Sequence, residues 1–235
     1  MIHGKRVLAY IPARSGSKSI IDKNIVDICG KPLIAYSIDA AKQSKYVDRV
    51  IVSTDSATYA EISRKYGAEA PFLRPDYLSS DTAVEMDACQ HLISWVEEQG
   101  DHFDIILKLE PTSPLRLPDD VDRALEILEQ KKADSVISVG EVKTPPFWMN
   151  QLPKDHSMKD FISKEVMRKN RQELPVYYFL DGLVFAATCN YLKSNKSWFA
   201  DNSFASITPP GRAVDIDGPD ELELVRIIIQ KRMKQ

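Results

Sequence analysis

Short apolar runs alternate with longer segments of helical period as far as Val142. The runs are Val7–Ile11, Arg49–Ser53, Ile105–Leu109 and Ser135–Val139. Between them, apolar residues recur at the spacing of a helix that buries one face. This alternation predicts parallel strands joined by crossover helices, because a parallel connection is too long for a tight turn. We therefore predict an α/β fold built on a doubly wound, mostly parallel sheet with helices on both faces.

Five segments are predicted to form helices. They are Pro32–Lys42, Ser56–Tyr66, 84–96, Pro118–Lys131 and Pro219–Met233. Asp81 is predicted to cap the third of them, since short acidic side chains accept hydrogen bonds from the free N–H groups of a first turn. The last helix ends in basic residues, which are favourable at a helix C-terminus.

The alternation breaks at residues 143–178. This segment holds four prolines, many charged side chains and several aromatic residues outside any apolar pattern. Core character returns at Gly182–Ala187 and Ala205–Thr208. We interpret 143–178 as a protruding lobe inserted into a single domain that spans 1–235, and as a surface for a partner chain.

Composition argues against several classes of partner. A net charge of −3 without a basic stripe gives no attraction to nucleic acid or to an anionic membrane. No apolar run approaches the ~20 residues that span a bilayer. The three cysteines are far apart and lack CxxC spacing. We therefore predict neither a disulfide framework nor a zinc site, but free thiols in a reducing cytoplasm.

A loop rich in small residues follows the first strand. Within Tyr10–Asn24, read YIPARSGSKSIIDKN, it carries Arg14, Lys18 and Lys23. Exposed backbone N–H groups and clustered cations at a strand end suit phosphate groups, which need close donors and compensating charge. The segment is not a P-loop, because its glycine and lysine are not adjacent and the earlier glycine is missing. A solvated basic loop is the alternative.

Polar side chains also follow the next two strands. Ligands of an open α/β sheet bind outside the carboxyl ends of the strands, so these side chains should meet those of the first loop in one crevice. The candidates are Ser53, Thr54 and Asp55 after the second strand, and Glu110, Thr112, Ser113 and Arg116 after the third.

Two aspartates precede the last helix. Asp215 and Asp217 flank Ile216, and alternate residues of an extended segment share a face. Two carboxylates suit Mg²⁺ when substrate phosphate and water complete its ligands. We therefore predict Mg²⁺ as cofactor, with the basic loop and the two acids around one triphosphate. Solvated surface acids are the alternative.

Six of these segments together resemble the acylneuraminate cytidylyltransferases, the enzymes that activate sialic acids and other nonulosonic acids. The matching stretches, spread from Tyr10 to Leu222, are IPARSGSKSIIDKN, VIVSTDS, LRPDYLSSDTA, LEPTSPLR, RQELP…DG and VDIDGPDEL. The resemblance implies the nucleotide-sugar transferase variant of the doubly wound sheet, joined into a homodimer through the lobe. It also implies transfer of CMP from CTP to the anomeric hydroxyl of a 2-keto sugar acid, with Mg²⁺ and release of pyrophosphate.

The resemblance assigns roles to individual residues. The nucleotide site comprises Arg14, Ser15, Lys18, Lys23, Asn24, Ser80 and Asp81. The sugar site comprises Glu110, Thr112, Ser113, Arg171, Gln172 and Asp181, and the metal ligands are Asp215 and Asp217. Arg14, Lys23 and Asp217 are the predicted catalytic residues, with Asp217 or a metal-bound water as acceptor of the proton from the sugar hydroxyl.

Four residues differ from the family pattern at positions predicted to contact or select the sugar. Glu110 and Asp181 stand where the family commonly has Gln and Asn, and Trp148 and Phe179 stand where sialic acid enzymes often have Lys and Arg. The second pair of changes removes cations that could bind a sugar carboxylate. We therefore expect a modified nonulosonic or octulosonic acid as acceptor. A related nucleotidyltransferase for another sugar acid, such as Kdo, and a nucleotide-sugar-binding module without turnover are the alternatives.

Overall fold

The computed structural model describes residues 1–234 and contains one large sheet and one small hairpin. The sheet strands are β1 (Val7–Pro12), β4 (Arg49–Ser53), β5 (Ile105–Lys108), β6 (Ser135–Glu141), β7 (Tyr178–Thr188) and β8 (Ser203–Ile207). The hairpin strands are β2 (Asp27–Ile28) and β3 (Lys31–Pro32). The spatial order of the sheet is β4-β1-β5-β7-β6-β8.

Strand direction decides where polar side chains gather. β1 pairs in parallel with both β4 and β5, and β6 pairs in parallel with β8. β7 lies between β5 and β6 and runs antiparallel to both. The other five strands therefore end at one edge of the sheet, where β7 begins. The predicted mostly parallel sheet is confirmed.

Helices cover both faces of the sheet. They are α1 (Leu33–Gln43), α2 (Ala57–Lys65), α3 (Glu85–Glu98), α4 (Pro118–Lys131), α5 (Cys189–Asn195) and α6 (Pro219–Met233). On one face α1, α2 and α4 pack through Ile38, Tyr59 and Leu125. On the other face α3 and α5 pack through Leu92 and Leu192. Because β1 is covered on both sides, its sequence is a continuous apolar run rather than an alternating one.

α6 packs beside the segment that carries the paired acids. Ile216, Val225 and Ile229 lie against Ile28 of the hairpin and Leu33 of α1. Ile216 is fully buried, whereas the aspartates on either side of it are exposed. Burial of the central isoleucine therefore turns both carboxylates towards solvent, as the alternate spacing predicted.

The start of α3 differs from the sequence prediction. Val84 is the N-cap residue of this helix, and Asp81 lies in the preceding turn. The prediction that Asp81 caps α3 is wrong, because its carboxylate is held by the side chains of Arg14 and Lys18 instead.

Residues 143–177 have little regular structure. They contain three short 3₁₀ turns, Pro146–Trp148, Val166–Arg168 and Arg171–Glu173, and no α-helix or strand. Pairing of Glu141 with Tyr178 closes the base of the lobe. That the lobe is a partner surface stays a prediction.

The cysteines are unpaired, and the helices are short or polar. All three cysteines lie among the described residues and are free, and two of them, Cys89 and Cys189, are buried. Across residues 1–234, no helix combines the length and the apolar content needed to cross a membrane.

Candidate active site

The loop after β1 lies over the edge at which the parallel strands end. The Ala13 N–H donates to the Ser53 carbonyl of β4 at 2.9 Å. The Asp55 carboxylate accepts from both the N–H and the hydroxyl of Ser15, at 2.7 and 2.6 Å. The predicted meeting of the first two loops is confirmed. Asp55 anchors the loop through both donors of Ser15, and a nucleotide contact of Ser15 stays a prediction.

Arg14 and Lys18 converge on Asp81. Their cationic groups lie 3.0 and 2.6 Å from its carboxylate oxygens, and Arg14 also donates to the Ser80 carbonyl at 3.2 Å. The hydrogen bond from Lys18, followed by that from Arg14, holds the pKa of Asp81 below its ordinary value. All three charged side chains are largely exposed, so an anionic ligand can exchange with the carboxylate.

Lys23 joins the basic loop to the paired acids. Its ammonium donates to the Ile216 carbonyl at 2.9 Å, although the two residues are 193 positions apart in the chain. The Ile216 N–H in turn donates to the Thr112 carbonyl at 2.9 Å. The basic loop, the loop after β5 and the segment of the two acids therefore meet in one cleft, as the sequence predicted.

Asp215 and Asp217 offer carboxylate oxygens to this cleft. The pKa of Asp215 is raised because the cleft removes part of its hydration; Asp217 and Glu110 add like charge, and a hydrogen bond from Thr112 opposes the rise. A divalent cation would relieve this repulsion. Within the described residues no cluster of three or more His, Cys, Asp and Glu side chains could hold a metal. Two carboxylates could serve Mg²⁺ only together with waters and substrate phosphate oxygens, and Mg²⁺ at this pair stays a prediction.

Asn24 and Ser80 lie on either side of Arg14. Asn24 is buried, and its amide donates to the Arg14 carbonyl at 3.0 Å, which fixes the backbone of the basic loop. Ser80 is exposed, and its hydroxyl lies 3.3 Å from the Thr82 hydroxyl. Direct contact of either residue with a nucleotide stays a prediction.

A pocket of about 260 Å³ opens beside Arg14. It is lined by Pro12, Arg14, Arg74, Leu78, Ser80, Asp81, Ala83, Glu85 and Glu110. Arg74 is only 4% exposed, and among the described residues its Nε and Nη2 have no hydrogen-bond partner. Buried donors without acceptors are unfavourable, so water or a ligand would have to supply acceptors to this guanidinium.

A buried lysine lies behind the same pocket wall. The Lys108 ammonium is 2.8 Å from the Glu110 carboxylate and 3.3 Å from that of Glu85. Phe185 and Trp198 cover it, with ring centroids 4.0 and 5.5 Å from Nζ. Burial lowers the pKa of Lys108, but the two carboxylates outweigh that effect and raise it overall.

Arg116 holds the loop after β5 from below. It is 3% exposed, and its guanidinium donates to the Leu183 carbonyl at 2.5 Å, to the Glu110 carbonyl at 2.7 Å and to the Ser37 hydroxyl at 2.7 Å. Burial lowers its pKa to about 10. One side chain thus ties α1, β7 and the loop together.

Ser113 and Asp181 lie beneath the cleft wall. Ser113 has no exposed surface, and Asp181 is 2% exposed. The Asp181 carboxylate accepts from the Ser138 hydroxyl at 2.5 Å and from the Leu183 N–H at 3.1 Å. Both side chains support the cleft wall from within, and their direct contact with the sugar stays a prediction.

Arg171 and Gln172 lie on the lobe, in the turn Arg171–Glu173. Both are exposed. In the part of the chain that the structure describes, no side-chain hydrogen bond or ion pair joins them to the residues of the cleft. Their role at the sugar stays a prediction.

Sequence reasoning missed Lys108 and Glu85, and it placed Arg74 in a loop without assigning it chemistry. A lysine inside the apolar run IILKL was the available signal, because lysine is seldom buried without a charged partner. Arg74 gave no comparable signal. Its burial follows from the path of its loop, where its N–H donates to the Thr54 carbonyl at 2.7 Å.

Sequence comparison finds related chains over nearly the whole length. Residues 8–184 match the profile of the Cytidylyltransferase family. The chain is 33% identical over 232 residues to CMP-N,N'-diacetyllegionaminic acid synthase of Legionella pneumophila, covering 96% of this chain and 97% of the relative. It is 33% identical over 231 residues to N-acylneuraminate cytidylyltransferase of Escherichia coli, covering 98% of this chain and 54% of that protein. Pseudaminic acid cytidylyltransferase of Campylobacter jejuni is 31% identical over 224 residues, covering 94% of this chain and 95% of the relative.

Solved structures share the fold. A CMP:2-keto-3-deoxy-manno-octonic acid synthetase complexed with CTP aligns with a TM-score of 0.69 and 18% identity, over 97% of this chain and 99% of that one. A 4-diphosphocytidyl-2C-methyl-D-erythritol synthase from Anaerococcus prevotii aligns with a TM-score of 0.66 and 15% identity, over 97% of this chain and 99% of that one. At these identities the likeness shows the nucleotide-sugar transferase fold and nothing finer.

Proposed function

This chain belongs to the cytidylyltransferase family, and from that membership we propose that it transfers CMP from CTP to the anomeric hydroxyl of a nonulosonic sugar acid, releasing pyrophosphate. Its relatives are named for legionaminic, pseudaminic and acylneuraminic acids. The observation that carries the proposal is the bond of 2.9 Å from Lys23 to the Ile216 carbonyl. It brings cations and paired acids to one cleft, and a metal-bound triphosphate needs both.

The basic loop holds the triphosphate. Arg14 and Lys18 are gathered on Asp81 at 3.0 and 2.6 Å. Because these ion pairs are exposed, phosphate oxygens can replace the carboxylate as partner. Positive charge placed in this way offsets the charge that builds on the phosphates during transfer.

The pocket beside Arg14 takes the cytosine base. Arg74 lines this pocket, and its Nε and Nη2 lack partners among the described residues. Cytosine offers two acceptors, O2 and N3, on its pairing edge. Arg74 is therefore the proposed reader of the base, and the pocket volume of about 260 Å³ has room for one pyrimidine ring.

Asp215 and Asp217 are the residues that would hold Mg²⁺. When bound there, Mg²⁺ supplies positive charge beside the phosphates and lowers the pKa of a coordinated oxygen. The chain itself fixes the two carboxylates. Ile216 is buried between them, and its backbone is held by Lys23 and Thr112.

The reaction is an in-line attack by the anomeric hydroxyl oxygen on the α-phosphorus of CTP. The new O–P bond forms while the bond from the α-phosphorus to the leaving oxygen breaks, and pyrophosphate departs with that electron pair. Asp217 accepts the hydroxyl proton. A carboxylate can act as general base, and Asp217 is held beside the basic loop by the contact of Lys23 with the Ile216 carbonyl.

The acceptor is a modified nonulosonic acid. Glu110 in the pocket wall offers a carboxylate to hydroxyl or amino donors of the sugar. Trp148 and Phe179 are aromatic and partly exposed, and neither can form an ion pair with a sugar carboxylate. These side chains suit an acceptor whose substituents differ from those of plain sialic acid.

The proposal includes a homodimer joined through the lobe. Large apolar side chains are exposed on the lobe and on the start of β7, namely Trp148, Met149, Leu152, Met167, Val176, Tyr177, Tyr178, Phe179 and Leu180. Exposed apolar patches of this kind mark association surfaces.

In sedimentation velocity we expect a dimer for the wild type and a shift to monomer for the double variant Tyr178→Ser/Leu180→Ser. A monomeric wild type would contradict this part of the proposal.

Pyrophosphate release tests the reaction directly, with each ribonucleoside triphosphate assayed against a panel of 2-keto sugar acids. We expect release only with CTP and a nonulosonic acid, abolished by EDTA and restored by added Mg²⁺. CTP binding without release for any acceptor would indicate a binding module without turnover. Preference for an octulosonic acid would favour the Kdo-type enzyme, and preference for N-acetylneuraminate would refute the modified acceptor.

A further inference from the structure

We propose that Lys108 is a positioning residue: it ties the carboxylates of Glu85 and Glu110 into the pocket wall and thereby presents Glu110 to the sugar acid. The inference rests on the proposed function of the cleft and extends it to a residue behind the wall. Lys108 acts through Glu110, because its own side chain is only 7% exposed.

The Lys108 ammonium is buried, whereas the two carboxylates that bind it are partly exposed. Lys108 Nζ is 2.8 Å from Glu110 and 3.3 Å from Glu85. The Trp198 indole N–H holds Glu85 from another side at 3.0 Å. The glutamate side chains are 29% and 32% exposed and both line the pocket. The lysine therefore stays behind the wall while its two partners reach the ligand space.

Three features keep Lys108 in one position. As the last residue of β5, it is paired with Tyr10 of β1 and Phe185 of β7. The Phe185 and Trp198 rings lie 4.0 and 5.5 Å from its ammonium, and cation–π attraction is strongest where water is excluded. A buried ammonium cannot leave its carboxylate partners without a large desolvation penalty. The lysine therefore fixes the point in the wall at which both carboxylates are bound.

The arrangement also sets the charge of the wall. Two glutamates and one lysine leave a single negative charge facing a pocket that must admit a nucleotide and a sugar acid. Arg14 and Arg74 line the same pocket and offset part of this charge beside the nucleotide. Without Lys108, the charge of the Glu110 carboxylate would act mainly on the sugar acid that enters beside it, because like charges repel strongly in a partly desolvated site. Lys108 thus lets the wall keep an acceptor group without excluding anionic substrates.

Glu110 is the partner that meets the acceptor. It lines the pocket beside Arg14, and its charge also acts on Asp215, whose pKa it helps to raise. It therefore lies between the nucleotide pocket and the paired acids. The sugar hydroxyl must enter that region to reach the α-phosphorus.

The first experiment compares Lys108→Met with Lys193→Met in a steady-state pyrophosphate assay. Lys193 pairs with Glu97 at 2.7 Å outside the cleft, so its removal changes the charge equally and leaves the wall intact. We expect Lys108→Met to raise KM for the sugar acid by about tenfold or more and KM for CTP by less than about threefold. Lys193→Met should leave both values unchanged.

A double-variant cycle separates positioning from a general structural effect. In the Lys108→Met background, Glu110→Gln removes the surplus charge, so Lys108→Met/Glu110→Gln should match Glu110→Gln alone in KM for the sugar acid. Two outcomes would overturn the proposal. One is a KM for the sugar acid in the double variant that equals the product of the two single effects, and the other is an equal rise of KM for CTP and for the sugar acid.

A milder variant keeps the test decisive if Lys108→Met does not fold. Trp198→Phe removes the indole N–H that holds Glu85 and part of the ring that covers Lys108, and it should raise KM for the sugar acid while sparing KM for CTP. Wild-type kinetics in Trp198→Phe would then overturn the role of Lys108.

The wild-type enzyme is assayed first, because its result separates the two proposals. An inactive wild type would contradict the proposed function. An active wild type whose variants show unchanged KM values would contradict only the inference about Lys108.

Discussion

The two sides of the cleft differ in how far their charged side chains are buried. On one side, the buried side chains of Lys108 and Arg116 are fixed by carboxylates, carbonyl oxygens and aromatic rings. On the other, Arg14, Lys18 and Asp81 are largely exposed and form ion pairs mainly with one another. The buried side has its geometry before any ligand arrives, whereas the exposed side can change partners when phosphate enters.

The contrast separates recognition from charge neutralisation. A sugar acid must be distinguished from similar molecules, which favours a wall that does not move. A triphosphate mainly needs compensating charge, which mobile cations supply without exact geometry. Substitutions on the buried side should therefore change stability, and for Lys108 also KM for the sugar acid, whereas substitutions of exposed groups should change kinetics without a large loss of stability.

The largest effect on stability is expected for Arg116→Met. It removes a buried guanidinium that donates to the Leu183 and Glu110 carbonyls. The free energy of unfolding should fall by about 3 kcal/mol, measured by urea denaturation. Arg226→Met is the matched control, because the Arg226 side chain is 36% exposed. Its loss should lower the free energy of unfolding by less than about 1 kcal/mol. Equal effects of the two changes would remove the contrast.

The largest kinetic effect is expected for Asp217→Asn. Turnover should drop by at least ~100-fold, the scale of a lost catalytic group, while CTP binding by calorimetry and the melting temperature stay close to wild type. Asp220→Asn removes a neighbouring exposed acid at the start of α6 and should leave turnover unchanged. Turnover near the wild-type rate in Asp217→Asn would exclude that carboxylate from the mechanism.

Asp215→Asn sharpens the contrast by separating stability from activity. The pKa of Asp215 is raised in the folded chain, so its ionised form is disfavoured there relative to the unfolded chain. This penalty is fully present above the raised pKa and disappears as pH falls below the ordinary aspartate value of about 4. We expect Asp215→Asn to raise the melting temperature at pH 7 but not at pH 3, and to abolish Mg²⁺-dependent turnover. A lower melting temperature of Asp215→Asn at pH 7 would contradict the prediction that ionised Asp215 destabilises the folded chain.

The smallest effect is expected for Asp81→Asn. The ion pairs of Asp81 with Arg14 and Lys18 are exposed, so the melting temperature should not change. Losing the group that gathers the cations should raise KM for CTP by no more than about threefold, as for other exposed charge contacts. A marked loss of thermal stability would show that the basic loop is as rigid as the buried wall.

The sequence could predict those features that depend on local pattern and on one rule of topology. Val7–Ile11 is a strand because an apolar run of that length is buried on both faces, and Lys23 meets Ile216 because ligand loops gather at the carboxyl ends of parallel strands. Periodicity carries no strand direction, so the antiparallel course of β7 was not predictable from the pattern.

The missed contacts are those that only the folded chain brings together. Lys108 and Glu85 are 23 positions apart, and Glu85 and Trp198 are 113 positions apart, without a shared motif. Asp81 satisfied the local pattern of a helix cap, but two cations from a distant loop competed successfully for its carboxylate.

The closed base of the lobe has a consequence for how this chain can vary. Glu141 pairs with Tyr178, and the Val142 N–H donates to the Tyr177 carbonyl at 2.8 Å. The backbone thus leaves the sheet and returns to it at adjacent points. Evolution can lengthen, shorten or replace the intervening residues without shifting the register of the strands below. Such a segment can change its acceptor contacts or its partner surface while the strands beneath it keep their pairing.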